Sequence, residues 1–372
     1  MTRHFDVIVV GGGLVGASIA FGLRDLGSKL AVFDEGDVAH RAARGNFGLI
    51  WVQGKGLGLP AYGTWTQRSA RAWPRFAASL RDETGIDVAL RQTGGVHVCL
   101  SPRELDVRSE RFVQLFAQPG FERFDVEVLD RAGVAKRLPG IGPDVVGGTW
   151  SALDGDCNPL RLLRALDIGV ERAGVVRHAR SAIVAIEPHA DRFGVRTAQA
   201  EFTCERIVLA AGLGNARLAP MVGIKAPVIP NKGQIIVLER VQPFLSAPLE
   251  TIRQTDEGTV LLGDSQQDRG FDDAVDPAVL AAIAARAVRV FPLLRDVRVV
   301  RAWAALRVMS PDGFPIYAQS RAHPGAFLAT CHSGVTLAAA HALDLAPAIR
   351  AGAFPAEYRP FALERFDVRA AA

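Results

Sequence analysis

The sequence predicts an α/β fold with two interleaved domains, one on a parallel sheet and one on a mixed or antiparallel sheet. Three observations carry this. The first thirty-odd residues run from a β-branched stretch through a glycine cluster and an apolar helix into a second strand. Similar strand and glycine elements return in the middle and near the end of the chain. Alternating, strand-like segments lie between them. At 372 residues the chain has room for two or three units of roughly 150 residues each.

Phe5–Val10 is a β-branched run stopped by glycines and predicts a buried parallel strand. Leu14, Ala17, Ile19, Ala20, Leu23 and Leu26 recur at helical spacing, with Gly27 as the stop. Leu30–Phe33 is a second strand, ending at Asp34. Gly45 to Gly63 predicts loop, Thr66 to Thr84 a helix, and Val88–Leu100 a hairpin. Leu160 to Ala173 predicts a helix closed by Gly174. Strands follow at Ala182–Ile186, Phe193–Thr197, Arg206–Ala210, Gly233–Leu238 and Thr259–Leu262. Pro277 to Phe291 predicts a helix, Arg298–Arg301 and Ala326–Ala329 strands, and Gly334–Ile349 a closing helix whose N-cap is Ser333. The expected division is 1–88, 148–220 and 300–372 for the first domain, with 89–147 and 221–299 for the second.

Composition excludes several classes. Hydrophobic residues make up 49% and charged residues 22%, which fits neither a disordered chain nor a coiled coil. The net charge of +4 comes from 43 basic and 39 acidic residues, mixed along the chain, so no nucleic-acid partner is expected. Cys99, Cys157, Cys204 and Cys331 are far apart. They form neither a zinc nor an iron–sulfur spacing, and no metal is expected. A reducing, cytoplasmic compartment fits. Ala326–Ile349 is apolar but contains His332, His341 and Asp344, so a membrane span is not expected.

The strongest chemical signal is Gly11-Gly12-Gly13-Leu14-Val15-Gly16. Gly11 allows a tight turn, Gly13 lets a pyrophosphate approach the backbone, and Gly16 lets helix and strand pack closely. The helix N-terminus then offers N–H groups and a positive dipole end to phosphates. Asp34, eighteen residues past Gly16, can accept from a ribose hydroxyl, and Glu35 competes for that role. The motif alone leaves NAD and FAD open. No second G-x-G-x-x-G follows, since Gly54–Gly58 lacks the last glycine, which argues against a nicotinamide acceptor.

Four stretches in order carry a family resemblance: the N-terminal βαβ unit, Arg41–Gly48, Arg206–Gly212, and Trp303–Arg307 with Ser310–Ile316. With them the chain resembles the D-amino-acid-oxidase-type flavoproteins, which include glycine oxidase, sarcosine oxidase and amino-acid dehydrogenases. Asn46–Gly56, Asn231–Gln234 and Cys331–Leu337 further resemble the β-subunits of heteromeric dye-linked dehydrogenases of opines, D-hydroxyproline or proline, and the hydrogen-cyanide-synthase flavoprotein. The resemblance implies a glycine-oxidase-like fold: a Rossmann-type FAD-binding domain interleaved with a substrate domain. It implies oxidation of a C–N bond in an amino or imino acid by hydride transfer to flavin N5, and partner subunits that carry the electrons onward. It places Gly11, Gly13, Leu14, Val15, Gly16, Asp34, Glu35, Ala42, Arg44, Gly45, Asn46, Phe47, Gly48, Leu49, Ile183, Ala211, Gly212, Gly334, Val335, Thr336 and Leu337 at the cofactor.

Arg307 stands where the family binds the substrate carboxylate, and a planar guanidinium fork suits that task. Its alternative is a structural ion pair. His332 is a candidate base or flavin contact, or else a packed histidine. Lys55 reads either as part of the loop over the flavin or, as the safer reading, as a solvated loop lysine, and Cys331 as a packed thiol. Asp264 and Ser265 end a strand near the pocket. Two departures from the simple oxidases matter: Thr251 replaces a substrate-holding tyrosine, and the last motif lacks a further arginine. Gln266 falls where sarcosine oxidases carry an oxygen-activating lysine, which predicts a dehydrogenase. The alternatives are a stand-alone glycine-, sarcosine- or D-amino-acid oxidase using O₂, and a flavin-carrying, non-catalytic assembly subunit.

Overall fold

The Arg3–Val10 strand runs between two parallel neighbours, Leu30–Phe33 and Glu201–Leu209. In the computed structural model, which describes residues 3–36 and 42–367, these strands centre the larger sheet. Its path runs Ile316–Gln319, Ala326–Thr330, Glu201–Leu209, Arg3–Val10, Leu30–Phe33, Val176–His178. Ile316–Gln319 is its antiparallel edge. Ile183–Pro188 and Phe193–Thr197 extend it as an antiparallel flap on Glu201–Leu209. The continuous apolar run of the first strand has a direct cause. Val7 and Val9 enter the core that contains Trp73 and Phe76. Phe5, Ile8 and Val10 enter the core on the other face with Ile207 and Leu328. A strand buried on both faces has no polar face to alternate with.

The second domain holds two antiparallel sheets. One runs Ile252–Gln254, Thr259–Leu262, Ile229–Arg240, Val299–Met309, and the other Gly95–Cys99, Gly147–Ser151, Glu127–Asp130. Val96, Leu129, Ile236, Ile252, Leu262 and Phe291 share the core between them. Asn231 pairs with Arg307, and Gly233 with Ala305, so the sheet's longest pairing sets the register of the candidate substrate arginine.

Helix starts follow their caps. Asn158 accepts from Leu160 and Arg161 N–H and starts Pro159–Arg172. Asp276 does the same for Pro277–Val290. Ser101 accepts from Glu104 N–H, and Glu104 reaches back to Leu100 N–H, starting Pro102–Ala117. This helix is an addition to the elements expected from periodicity, although serine followed three residues on by glutamate is a helix-start signal.

Several expectations are corrected. The first helix covers only Leu14–Gly22, because Gly27 sits at φ 56° inside a separate 3₁₀ segment. No local hairpin forms over 88–100: Ala89 has φ 52°, Arg91 bridges to Asp156, and Gly95–Cys99 pairs with Gly147–Ser151. The loop after Gly45 is interrupted by a short strand, Leu49–Ile50, and its helix begins at Pro60. The closing helix is broken: regular helix starts at Ala338 and widens into a π turn at His341–Leu345. Pro347 has no N–H to offer the carbonyl of Leu343, which accounts for the widened turn just before it. Ser333 is no helix cap; its hydroxyl is 2.7 Å from that of Tyr62. Among the described residues, no helix is long and apolar enough to cross a membrane.

Candidate active site

Two cavities meet in the cleft between the domains. The larger, about 730 Å³, lies along the ends of the parallel strands, and the smaller, about 250 Å³, lies under the antiparallel sheet. Ala42, Asn46 and His332 line both.

The larger cavity is built on the glycine turn. Gly11 has φ 107°, and a Cβ there would fall 2.4 Å from the carbonyl oxygen of Ala210. A Cβ on Gly16 would fall 1.9 Å from the Gly11 oxygen, so helix and turn touch backbone to backbone. Among the described residues no side chain caps the helix at Gly13, which leaves its first-turn amides open to an anion. Both Asp34 carboxylate oxygens hold this turn. One accepts from Gly12 N–H at 2.7 Å and the other from Gly36 N–H at 2.8 Å. Asp34 thus organises the loop besides facing the cavity.

Of the expected cofactor residues, Gly11, Gly13, Leu14, Val15, Asp34, Glu35, Ala42, Arg44, Asn46, Ile183, Ala211, Gly212 and Gly334 line the larger cavity. Gly45, Phe47, Leu49, Val335 and Thr336 line the smaller one. Gly16, Gly48 and Leu337 line neither and are buried. Arg41, the first residue of the small-residue loop, lies outside the described residues. No sequence motif singles out Asp167, Arg177 or Arg217, all on the wall of the larger cavity. Burial pushes the Asp167 carboxyl up to about 6 against the pull of Arg177.

The smaller cavity gathers charge. Arg307 lines it. Its Nη1 donates to the Ser265 carbonyl at 2.7 Å and to Asn231 Oδ1 at 3.3 Å. Its Nη2 forms an ion pair with Asp264, which also lines the cavity. Burial raises the Asp264 carboxyl, the positive charge of Arg307 opposes this, and the net shift is upward. Glu250, unmarked by any motif, lines the same space and pairs with His97. Burial would raise its carboxyl, but the His97 contact and the charges of His97, Arg108 and Lys55 bring it down to about 2.

Lys55 is not a solvated loop lysine. It lines the smaller cavity, with Nζ 3.4 Å from His332 Nε2 and 3.3 Å from Ser333 Oγ. Its loop is fixed from behind by buried Asp154, which accepts from Val52 N–H and from Gln53 Nε2 at 2.7 Å. Burial, Lys55 and Arg307 hold His332 well below the usual histidine range, while a hydrogen bond to the Gly313 backbone partly opposes them. The imidazole is therefore neutral, with one ring nitrogen turned to the Gly313 carbonyl and Nε2 left as an acceptor. Gln266 does line the cavity. Lys55, from another loop, lines the same cavity. Thr251 lies outside the lining; its carbonyl accepts from Gly263 N–H. Cys331 lines the larger cavity, and burial pushes its thiol up to about 12, so it stays a packed, protonated thiol.

Comparison with known proteins shows what the chain is similar to. The family model described as FAD dependent oxidoreductase matches residues 6–347. An opine oxidase subunit of Agrobacterium tumefaciens (strain Ach5) is 44% identical over 366 residues, covering 98% of this chain and 99% of that protein. Hydrogen cyanide synthase subunit HcnC of Pseudomonas protegens is 27% identical over 412 residues, covering 98% of this chain and 97% of that protein. The crystal structure of glycine oxidase from Geobacillus kaustophilus superposes with a TM-score of 0.87 at 24% identity, covering 97% of this chain and 99% of that one. The fold is of the glycine-oxidase type, and the chain belongs to the family of FAD-dependent oxidoreductases.

Proposed function

We propose that this chain is the catalytic subunit of an oxidoreductase that oxidises the C–N bond of an amino or imino acid, opines included, and hands the electrons to companion subunits. One observation carries the reading. The cavity lined by Arg307 opens onto the nucleotide cavity at Ala42, Asn46 and His332, where a carboxylate-anchored substrate would meet the cofactor's reactive end.

The residues present fit FAD. The uncapped helix start after Gly13 suits a pyrophosphate, and Asp34 suits a ribose. Ala42, Arg44, Asn46, Ile183, Ala211, Gly212 and Gly334 supply further walls. Gly45, Phe47, Leu49, Val335 and Thr336 enclose the end nearer Arg307. When bound, FAD supplies the acceptor for a hydride and its two electrons.

The chain's own part is to bind and orient. Arg307 takes the substrate carboxylate with N–H groups not used by Ser265, Asn231 or Asp264, and the Asp264 ion pair keeps its plane fixed. Burial and the charges of Lys55 and Arg307 make His332 a weak base, and its Nε2 positions Lys55. The amine reacts uncharged, and its imine product is split by water into a keto acid and an amine. An assembly subunit without catalysis would have no use for an arginine oriented this way.

Companion subunits are supported by two relatives, at 44% and 43% identity, that are each named as a subunit of an opine oxidase. The test is a dye-reduction screen of amino acids, imino acids and opines with the purified protein, with and without co-expressed neighbouring gene products. A second reading, a stand-alone oxidase using O₂, is favoured by Lys55, whose ammonium lies where the two cavities join. A cation there would stabilise superoxide-like charge.

A further inference from the structure

The strand that carries Arg307 divides the two cavities. Arg307 and Met309 line the smaller one, and Leu306 and Val308 line the larger. Lys232 is the register partner of Leu306, so both side chains project from the same face of the sheet, the cofactor side. Lys232 is only 3% exposed. A lysine at that burial needs a partner, and it finds two in one segment: Asp272 Oδ2 at 2.7 Å and the Ala274 carbonyl at 3.0 Å. The same segment is tied down at its start. Lys232 and Gln267 exchange backbone hydrogen bonds, each 2.9 Å. The Gln234 side chain bridges Gln267 Oε1 and the Asp276 N–H.

Between these ties stands Phe271, which is 74% exposed. Exposure alone says little, since single apolar residues are common on surfaces. Its place says more. Phe271 and Asp273 line the larger cavity. With Leu306 and Val308 they form the wall that the antiparallel sheet and its following segment add to the cavity built on the glycine turn. A phenyl ring on that wall, on a segment anchored by a buried ion pair, is held ready for a ligand to cover it.

We infer that Phe271 is a cofactor contact: FAD, when bound, covers its ring, and the Lys232–Asp272 pair is the latch that positions it. Arg307 is thereby not the antiparallel sheet's only contribution, since the other face of the same sheet helps to hold the nucleotide.

The test follows FAD release from the holoenzyme, read as the rise in flavin fluorescence after dilution, with neither substrate nor dye present. Phe271→Ala removes an exposed ring and keeps the fold. It is expected to release FAD roughly ten- to a hundred-fold faster than wild type, as for loss of one buried aromatic contact. Phe271→Tyr is expected to stay close to the wild-type rate. Asp272→Asn loosens the latch and is expected to approach Phe271→Ala, while Asp272→Glu keeps the charge and recovers part. Lys232→Met is the second latch variant, because it leaves no unpaired buried charge behind. The double variant Phe271→Ala/Asp272→Asn is expected to be no faster than Phe271→Ala alone, because the latch acts through the ring.

Release from Phe271→Ala at the wild-type rate overturns the contact. A double variant faster than Phe271→Ala by the full factor seen for Asp272→Asn overturns the latch.

Discussion

The guanidinium of Arg307 lies flat against Gly233. A Cβ built on Gly233 would fall 2.4 Å from Nη1, 2.6 Å from Cζ and 2.7 Å from Nη2. The two residues sit on paired strands, with Gly233 opposite Ala305 and Arg307 opposite Asn231. Gly233 therefore leaves the space in which the fork lies. Adding one methyl group moves the flexible end of the arginine rather than the sheet. Gly233→Ala is expected to stay folded and flavin-bound while kcat/KM falls about ten- to a hundred-fold, as for a misplaced positioning group. Flavin content, melting and dye-reduction kinetics check it. Normal kinetics would separate Gly233 from the function of Arg307.

Asp34 both faces the larger cavity and ties Gly12 to Gly36. Its loss removes two charge-assisted hydrogen bonds, each worth about 1.5–3 kcal/mol. Asp34→Ala is expected to lose FAD on purification, and Glu35→Ala to lose less. The ratio of flavin to protein absorbance measures both. Equal loss, or loss only in the Glu35 variant, contradicts the assignment.

Glu250 predicts an acid limit. Its folded pKa is depressed from 4.5 to about 2. Its contribution to stability is therefore present above pH 4.5 and is lost as pH falls toward 2. With solvent screening of its partly exposed carboxylate, that contribution is about 1–2 kcal/mol. Glu250→Gln is expected to melt a few degrees lower at pH 7, with the gap narrowing below pH 4.5 and closing toward pH 2. A gap that stays constant or widens toward acid reverses the sign.

The acceptor is read from the half-reaction in which the reduced protein is reoxidised, free of substrate effects. Dithionite-reduced protein is mixed with air-saturated buffer or with dye. Dye is expected to reoxidise it at least about tenfold faster, the equivalent of 1.4 kcal/mol in barrier. Equal rates favour the oxidase reading that Lys55 suggests.

The glycine turn, Asp34 and the strand ends are legible in the sequence because turn chemistry and strand periodicity are local. The hairpin at 88–100 fails for the opposite reason. Gly95–Cys99 finds its partner about fifty residues later, and alternation says nothing about which strand answers it. The charged cavity is legible only in part. Arg307 belongs to a recognisable stretch, whereas its partner Asp264 is 43 residues away in sequence. Glu250 sits in no motif at all. Lys55 is deceptive because a lysine between glycines looks solvated. Only the fold shows Val52 and Gln53 pinned by Asp154, which turns the loop inward.

The central claim is that Arg307 binds the substrate carboxylate beside the flavin. Anaerobic reduction of the bound flavin by the best substrate from the screen tests it, in wild type, Arg307→Ala and Arg307→Lys. Truncating one partner of such a pair costs about 2–5 kcal/mol. The limiting slope of reduction rate against substrate is therefore expected to fall roughly thirty-fold to a few thousand-fold in Arg307→Ala. Flavin content is expected to hold, and Arg307→Lys to recover only part, for want of the fork. Reduction per bound flavin at the wild-type rate, with flavin or stability lost instead, would make Arg307 a structural partner of Asp264 and contradict the account.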